Sequence, residues 1–460
     1  MRIGARKPRK KARFFFLMLM AAGLGAGLWL ALRVGPEPVV ELESDRPAVG
    51  KATTVIANFA EPVHGLGKIR LELIQGDRVE VLDERELTRG SLLPWSRDDG
   101  TDEVLLTAIV GTSAFDWLDE GDVVLRATAE RSAGFLRHGE PVVAELLLPV
   151  RLRPPRLELL SSQHYGQQGG SGAVRYRVGE TAVRSGVRSG IHESWGSPLE
   201  GGGSDDHFAL FALPWNLDDA GEIRLFAEDD AGNRVELAFL DLFKPRPDRV
   251  DTIRLTDDFF QRVVPAIASR TPGFDDSGSL LEQYLVINRE LRQAELDRVT
   301  ELSNLSEPAF LWSGPFLQMT NSALKANFAQ TRSYLYDGRE VDRQTHLGLD
   351  LASTARAPVP APNAGRVVFA GWMTLYGNAV VIDHGYGLLS LCGHMSSVDV
   401  VEGDVVGRGQ IVGRSGATGL AGGDHLHLEI FVHGQSVDPL QWLDAKWIDE
   451  KIMSKIEGAS

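Results

Sequence analysis

Three short stretches in the last quarter of the chain, between His346 and Pro439, leave little freedom in how that part can fold. They are HLGLD (His346 to Asp350), LCGHMSS around His394, and DHLHLEI (Asp424 to Ile430). In an extended strand, side chains two or four residues apart share a face. His346, Gly348 and Asp350 then fall on one face, with Leu347 and Leu349 on the other. His425, His427 and Glu429 likewise alternate with Leu426, Leu428 and Ile430. Each strand commits leucines to a core and imidazoles or a carboxylate to a cleft. That is the pattern of a metal site: catalytic zinc takes three ligands from His, Asp, Glu or Cys and keeps one position for water. His394 adds an imidazole suited to proton transfer. Spacing alone leaves open which of His425 and His427 binds metal.

At 460 residues the chain is too long for one ordinary domain. Its N-terminus is set apart: Arg2, Arg6, Lys7, Arg9, Lys10, Lys11 and Arg13 precede an uncharged run from Phe14 to Leu32. About 20 apolar residues cross a bilayer as a helix. The basic flank places that end in the cytoplasm and exports everything after Arg33. No A-x-A cleavage site follows the run, so residues 1–33 read as a basic tail and uncleaved transmembrane anchor in the cytoplasmic membrane. The net charge of −15 argues against nucleic acid as a partner, because phosphate binding needs a positive surface. Cys392 is the single cysteine, which rules out an intramolecular disulfide. In the strand reading it shares a face with His394, and it reads as a small buried apolar residue.

The rest is expected to be mainly β and multidomain. Residues 36–156 contain KATTVIANF, KIRLELI, EVLLTAIV and DVVLRATAE, separated by turns such as RDDGTD and EGD, and point to a β-sandwich-like domain. RLRPPR (Arg151 to Arg156) is a stiff joint. Residues 157–247 carry AVRYRVGE, HFALFALPW and a long hairpin with DDAGN as its turn, which resembles the last hairpin of bacterial immunoglobulin-like domains. His64, His138, His164, His192 and His207 are scattered without ligand spacing and read as surface or structural. Residues 248–309 are helical: a helix after Thr256, kinked or broken at Pro265, then a longer one opened by the capping box Ser279–Glu282 and running to about Leu302. This segment reads as a connector packed on the last domain, with a lid or inhibitory arm over the cleft as the second reading. Residues 310–445 are all-β, with strands GRVVFAG, NAVVIDH, GLLSLCGHM and HLHLEIFV, and 446–460 form a tail.

H-x-x-x-D, then a lone His, then H-x-H resembles the lysostaphin/LytM-type zinc metallopeptidases. The surroundings match as well: YGNAVVIDHGYG, VVEGDVVGRGQIVGRSGATG, and GDHLHLEI followed by VDP. The resemblance covers about Phe316 to Leu443. It implies one Zn²⁺ per chain held by His346, Asp350 and His427, with His425 and His394 as the pair that activates water, stabilises the oxyanion or protonates the leaving amine. It implies peptidoglycan stem peptides as substrates, cut by an endopeptidase outside the cytoplasmic membrane. LCGHM departs from the family, whose members carry an aromatic two residues before the His and Leu after it. His384 in IDHG reads as structural and His433 as a surface residue. A protein that controls the activity is also expected, because unregulated wall cleavage is lethal.

Two other classes compete. Relatives that lost their zinc ligands activate other wall hydrolases, which makes a non-catalytic regulator or binding module the alternative, but all five positions are present here. A lipoyl- or biotinyl-like carrier, which VEGDVVGRGQ resembles, needs an exposed lysine, and none lies between Lys325 and Lys446.

Overall fold

The computed structural model describes residues 10–32, 37–61, 65–87, 103–131 and 139–457; His64, His138 and the RDDGTD turn lie outside them. The chain is mainly β and divides into two compact units, Met1–Pro154 with Asp229–Asn233, and Pro155–Glu228 with Arg234–Ser460.

The first unit opens with helix α1 (Lys10–Leu32). Its side chains from Phe14 to Leu28 are described and are exposed. Among the described residues no helix is long and apolar enough to cross a membrane, so the expected spanning anchor is not supported. Beyond α1, antiparallel strands Val39–Ser44, Thr53–Ala60 and Glu103–Val110 form one sheet. Arg78–Glu86, Leu66–Gln75, Gly121–Arg131 and Val142–Val150 form another. Period-two burial along Thr53–Ala60 and Gly121–Arg131 turns one face of each sheet inward. Phe59 and Leu106 of the first sheet accordingly bury against Ile69 and Leu71 of the second.

The second unit begins with another pair of four-stranded sheets, closed over Tyr176, Val187, Phe211 and Leu225. The hairpin expected there is present, with Ile223–Asp229 antiparallel to Arg234–Leu237. Phe208 and Leu210 on the Asp206–Ala212 strand pack with Trp312, Tyr386 and Trp442 of the later sequence. Ile448, Ile452 and Ile456, from the short helices that end the described chain, join the same cluster.

The site is built on a long antiparallel sheet. Its strands lie in the order Ala323–Ala326, Leu349–Ala352, Leu426–Val432, Leu388–Met395, Gly377–Asp383, Gly365–Met373 and Val405–Val406. One face buries Leu349, Val380, Ile382, Cys392 and Leu428. The other presents Val381, Leu389, Leu391 and Phe431 to a helical layer. That layer is α2 (Asp257–Ala268) and a capped helix made of α3 (Leu280–Val286), a π-turn at Ile287–Leu291, and α4 (Arg292–Asn304). Of the kink or break expected at Pro265, the break does not occur: α2 continues to Ala268. Pro265 sits in the last turn, where the only intrahelical partner lost is that of the Gln261 carbonyl.

Candidate metal centre

His346 ends the Arg339–His346 strand, and the ladder resumes only at Leu349. The continuous HLGLD strand read from the sequence is therefore interrupted by a bend at Gly348. The bend has a steric cause. A Cβ on Gly348 would lie 2.6–2.7 Å from the His427 ring and 2.7 Å from the Leu428 carbonyl oxygen, so only glycine lets the two strands close here. Asp350 pairs in register with His427, and His427 with Gly393, which brings residues distant in sequence to one spot on the helix-covered face.

There His346, Asp350 and His427 converge, all buried. His346 Nε2 lies 2.9 Å from Asp350 Oδ1 and 3.2 Å from His427 Nδ1, and His427 Nδ1 lies 3.0 Å from Asp350 Oδ1. Each opposite side is already taken. His346 Nδ1 donates to the Asn327 carbonyl at 2.9 Å, and His427 Nε2 donates to Glu429 at 3.1 Å. Asp350 Oδ2 accepts from Arg332 at 2.7 Å. Two imidazole lone pairs and a carboxylate oxygen thus face one another about 3 Å apart, the separation that three ligands of a tetrahedral ion with bonds of about 2 Å adopt. Neutral rings alone leave this cluster all acceptor, whereas a cation satisfies it. The donors fit a metal of the zinc type.

The electrostatics agree. Burial opposes the charge on Asp350, but the neighbouring His346, His425 and His427 imidazoles outweigh it and hold the carboxyl far below its usual range, as positive charge at the centre of the cluster would. Burial also opposes a charged His427, yet Asp350 and Glu429 at its two nitrogens push it up to about 9. A proton and a metal ion compete for the same Nδ1 position. Glu429 is fixed in turn by Tyr376 Oη at 2.9 Å and by the Ser436 hydroxyl.

His394 and His425 flank the cluster, their rings 4.8 Å apart. His394 Nδ1 donates to the Thr418 carbonyl and His425 Nδ1 to the Gly423 carbonyl, both at 2.8 Å. That leaves each Nε2 with a lone pair, and His425 Nε2 stands 3.6 Å from Asp350 Oδ1. Burial, followed by the neighbouring His425 and His427, lowers His394 well below the ordinary histidine value instead of leaving it near 6.5.

The strand reading that put Cys392 and His394 on one face is corrected. His394 has φ +61°, a left-handed backbone that breaks the alternation. Its ring lines the site, while Cys392 stays in the apolar core with its thiol pushed up to about 12 by burial. His384 is buried between the Ala364 carbonyl and the Ser390 hydroxyl, each at 2.8 Å. His433 is not a surface residue: it is half-buried in a turn, with its ring close over Gly387. His164 is buried in the earlier sandwich, and His192 and His207 are half-buried there.

Asn327, Arg332, Tyr376 and Ser436 escaped the sequence reading, because their partners are fixed only by the tertiary pairing. Glu429 gave a signal, since H-x-H-x-E alternation places it on the site face. The cluster opens into a cavity of about 340 Å³ whose far wall includes Phe259, Tyr284, Asn288, Arg292 and Leu296 of the helical layer.

Residues 344–439 match the model of Peptidase family M23. Over 95 residues the chain is 41% identical to the DD-carboxypeptidase/endopeptidase Mpg of Neisseria meningitidis serogroup B, covering 21% of this chain and 22% of that protein. It is 32% identical over 118 residues to the peptidoglycan DD-endopeptidase ShyB of Vibrio cholerae, covering 26% of this chain and 27% of that one. It is 38% identical over 96 residues to the murein hydrolase activator EnvC of Escherichia coli, covering 21% and 23%. The chain therefore spans about a quarter of the length of these curated relatives. The match begins just before His346, runs past His427 to Pro439, and encloses the whole donor set: residues 344–439 form a domain of peptidase family M23.

Proposed function

We infer that the chain is a zinc metalloendopeptidase that hydrolyses peptide cross-links of peptidoglycan. One observation carries this reading: three ligand lone pairs converge beside two histidines whose free nitrogens face the same cavity. His346 Nε2, Asp350 Oδ1 and His427 Nδ1 would hold the ion. When bound, zinc supplies a Lewis acid for the scissile carbonyl and makes water nucleophilic near neutral pH. The remaining work falls to the chain. Glu429 and the Asn327 carbonyl fix the tautomers of the two ligand rings. Arg332 anchors Asp350 Oδ2, which leaves Oδ1 turned towards the cluster. His394, kept neutral by burial, accepts a proton from the attacking water at Nε2, and the His394/His425 pair delivers that same proton to the leaving amine, which restores both neutral rings.

The names of Mpg and ShyB support peptide bonds of peptidoglycan as the substrate class. Attachment to the cytoplasmic membrane through the apolar run Phe14 to Leu32, with the basic flank inside and the remainder outside, rests on the sequence. The name of EnvC supports a second reading, a non-catalytic activator of other hydrolases. The complete donor set favours catalysis.

The test is incubation of the full-length protein with purified cross-linked peptidoglycan and mass spectrometry of the released fragments. Cross-linked dimers should split into monomers, and a chelator or His427→Ala should stop this. Intact dimers, together with stimulation of a separately added wall hydrolase, would establish the activator instead.

A further inference from the structure

The cavity over the donor cluster has an unbalanced charge. Two carboxylates line it, and both are engaged: Asp350 with Arg332 and the histidines, Glu429 with His427, Tyr376 and Ser436. Three arginines line it. Arg332 is paired with Asp350, whereas Arg254 and Arg292 have no ion pair among the described residues. In a chain of net charge −15, two uncompensated cations in one small cavity call for an anionic guest.

Arg292 is also held in place. The π-turn Ile287–Leu291 carries Asn288, which is fully buried and donates its amide to Asp342 at 2.7 Å. With the amide so fixed, Asn288 Oδ1 accepts from Arg292 Nη2 at 2.6 Å, and the Asn288 carbonyl accepts from Arg292 Nε at 3.1 Å. Asp342 is itself bonded to Arg289, so its charge is spent away from Arg292. The clamp uses neutral acceptors and occupies two of the five guanidinium donors. The Nη1 edge has no partner among the described residues. π-turns of this kind recur at functional sites because they reposition a side chain without ending the helix.

We propose that Arg292, clamped by Asn288 on the π-turn, binds a carboxylate of the substrate peptide. The enzyme then prefers peptides with a free carboxylate within a few residues of the bond cut. A guanidinium fork matches a carboxylate in two parallel hydrogen bonds. The cavity of about 340 Å³ holds only a few residues, which keeps that carboxylate near the donor cluster. Arg254, on the exposed Arg249–Arg254 strand, adds its field at the rim. The helical layer is on this account part of the substrate site. The inference rests on the peptidase reading and adds a specificity-determining residue to it.

The test uses the full-length protein with its metal, as wild type, Arg292→Gln and Arg292→Lys. The probe is a purified cross-linked stem-peptide dimer in three forms: with free carboxylates, amidated at the chain terminus, and amidated on the side chain. Wild type should disfavour one amidated form roughly 10- to 100-fold in kcat/KM, mainly through KM, the scale of a charge-assisted hydrogen bond. Which form suffers identifies the carboxylate. Arg292→Gln should lose the discrimination and Arg292→Lys should keep part of it. Equal cleavage of all three forms by wild type, or discrimination retained in Arg292→Gln, overturns the proposal. Equilibrium binding of the same peptides is measured alongside. Binding that depends on Arg292 and the carboxylate, without cleavage, would overturn the peptidase reading and leave this site standing.

Discussion

Glu429 contributes no ligand atom, yet it decides which nitrogen of His427 faces the cluster. Its carboxylate accepts the Nε2–H hydrogen bond while Tyr376 and Ser436 hold it still. Removing such a partner costs roughly 10- to 100-fold in metal affinity. Glu429→Gln should show that loss in a competition titration against a chelator, measured on variant protein that is still folded; equal affinity would remove Glu429 from the site. Gly348→Ala should lose metal outright, since its Cβ has nowhere to go but into the His427 ring and the Leu428 carbonyl. His384 makes a different prediction. It is fully buried, and burial lowers it to about 4, against roughly 6.5 in an unfolded chain. Its stabilising effect is complete above 6.5 and declines towards pH 4, because the unfolded chain takes up the proton first. The loss is at most about 3 kcal/mol. Melting temperature should fall between pH 7 and 5 by less in a folded His384→Gln variant than in wild type. The sequence made the metal residues legible through their period-two spacing and family likeness. It could not reveal Arg332 or Tyr376, whose meeting with Asp350 and Glu429 is a product of strand pairing and packing.

The helical layer was legible in outline, because Thr256 and Ser279 cap their helices as the local code requires. Ser279→Ala should cost about 1 kcal/mol, readable as a lowered denaturation midpoint with activity retained. The π-turn was not legible, since an extra residue in a helix leaves no mark on hydrophobic spacing alone. It arises where Asn288 must reach Asp342 from inside the helix. The same holds for strands: alternation located the sheet, but the left-handed backbone at His394 turns that one side chain out of its expected face. Val264 in α2 is wholly buried against the sheet, so Val264→Ala should destabilise by about 1–3 kcal/mol and loosen the cavity wall.

In the second unit, the sandwich, the helices and the peptidase domain share apolar surfaces. A chain shortened to start near Phe310 would expose Leu389, Leu391 and Phe431, which α2 to α4 now cover. It should aggregate rather than gain activity, and size-exclusion chromatography distinguishes the two. A soluble monomer more active than the full chain would mean that the helices act chiefly as a restraint. Each layer thus serves the three lone pairs at His346, Asp350 and His427. The most direct measurement is the metal content of the full-length protein by elemental analysis, beside His427→Ala of equal melting behaviour. About one zinc per chain in the wild type, lost in the variant, is the predicted result. Wild-type protein that binds no zinc, or a His427→Ala variant that retains it fully, would contradict the account.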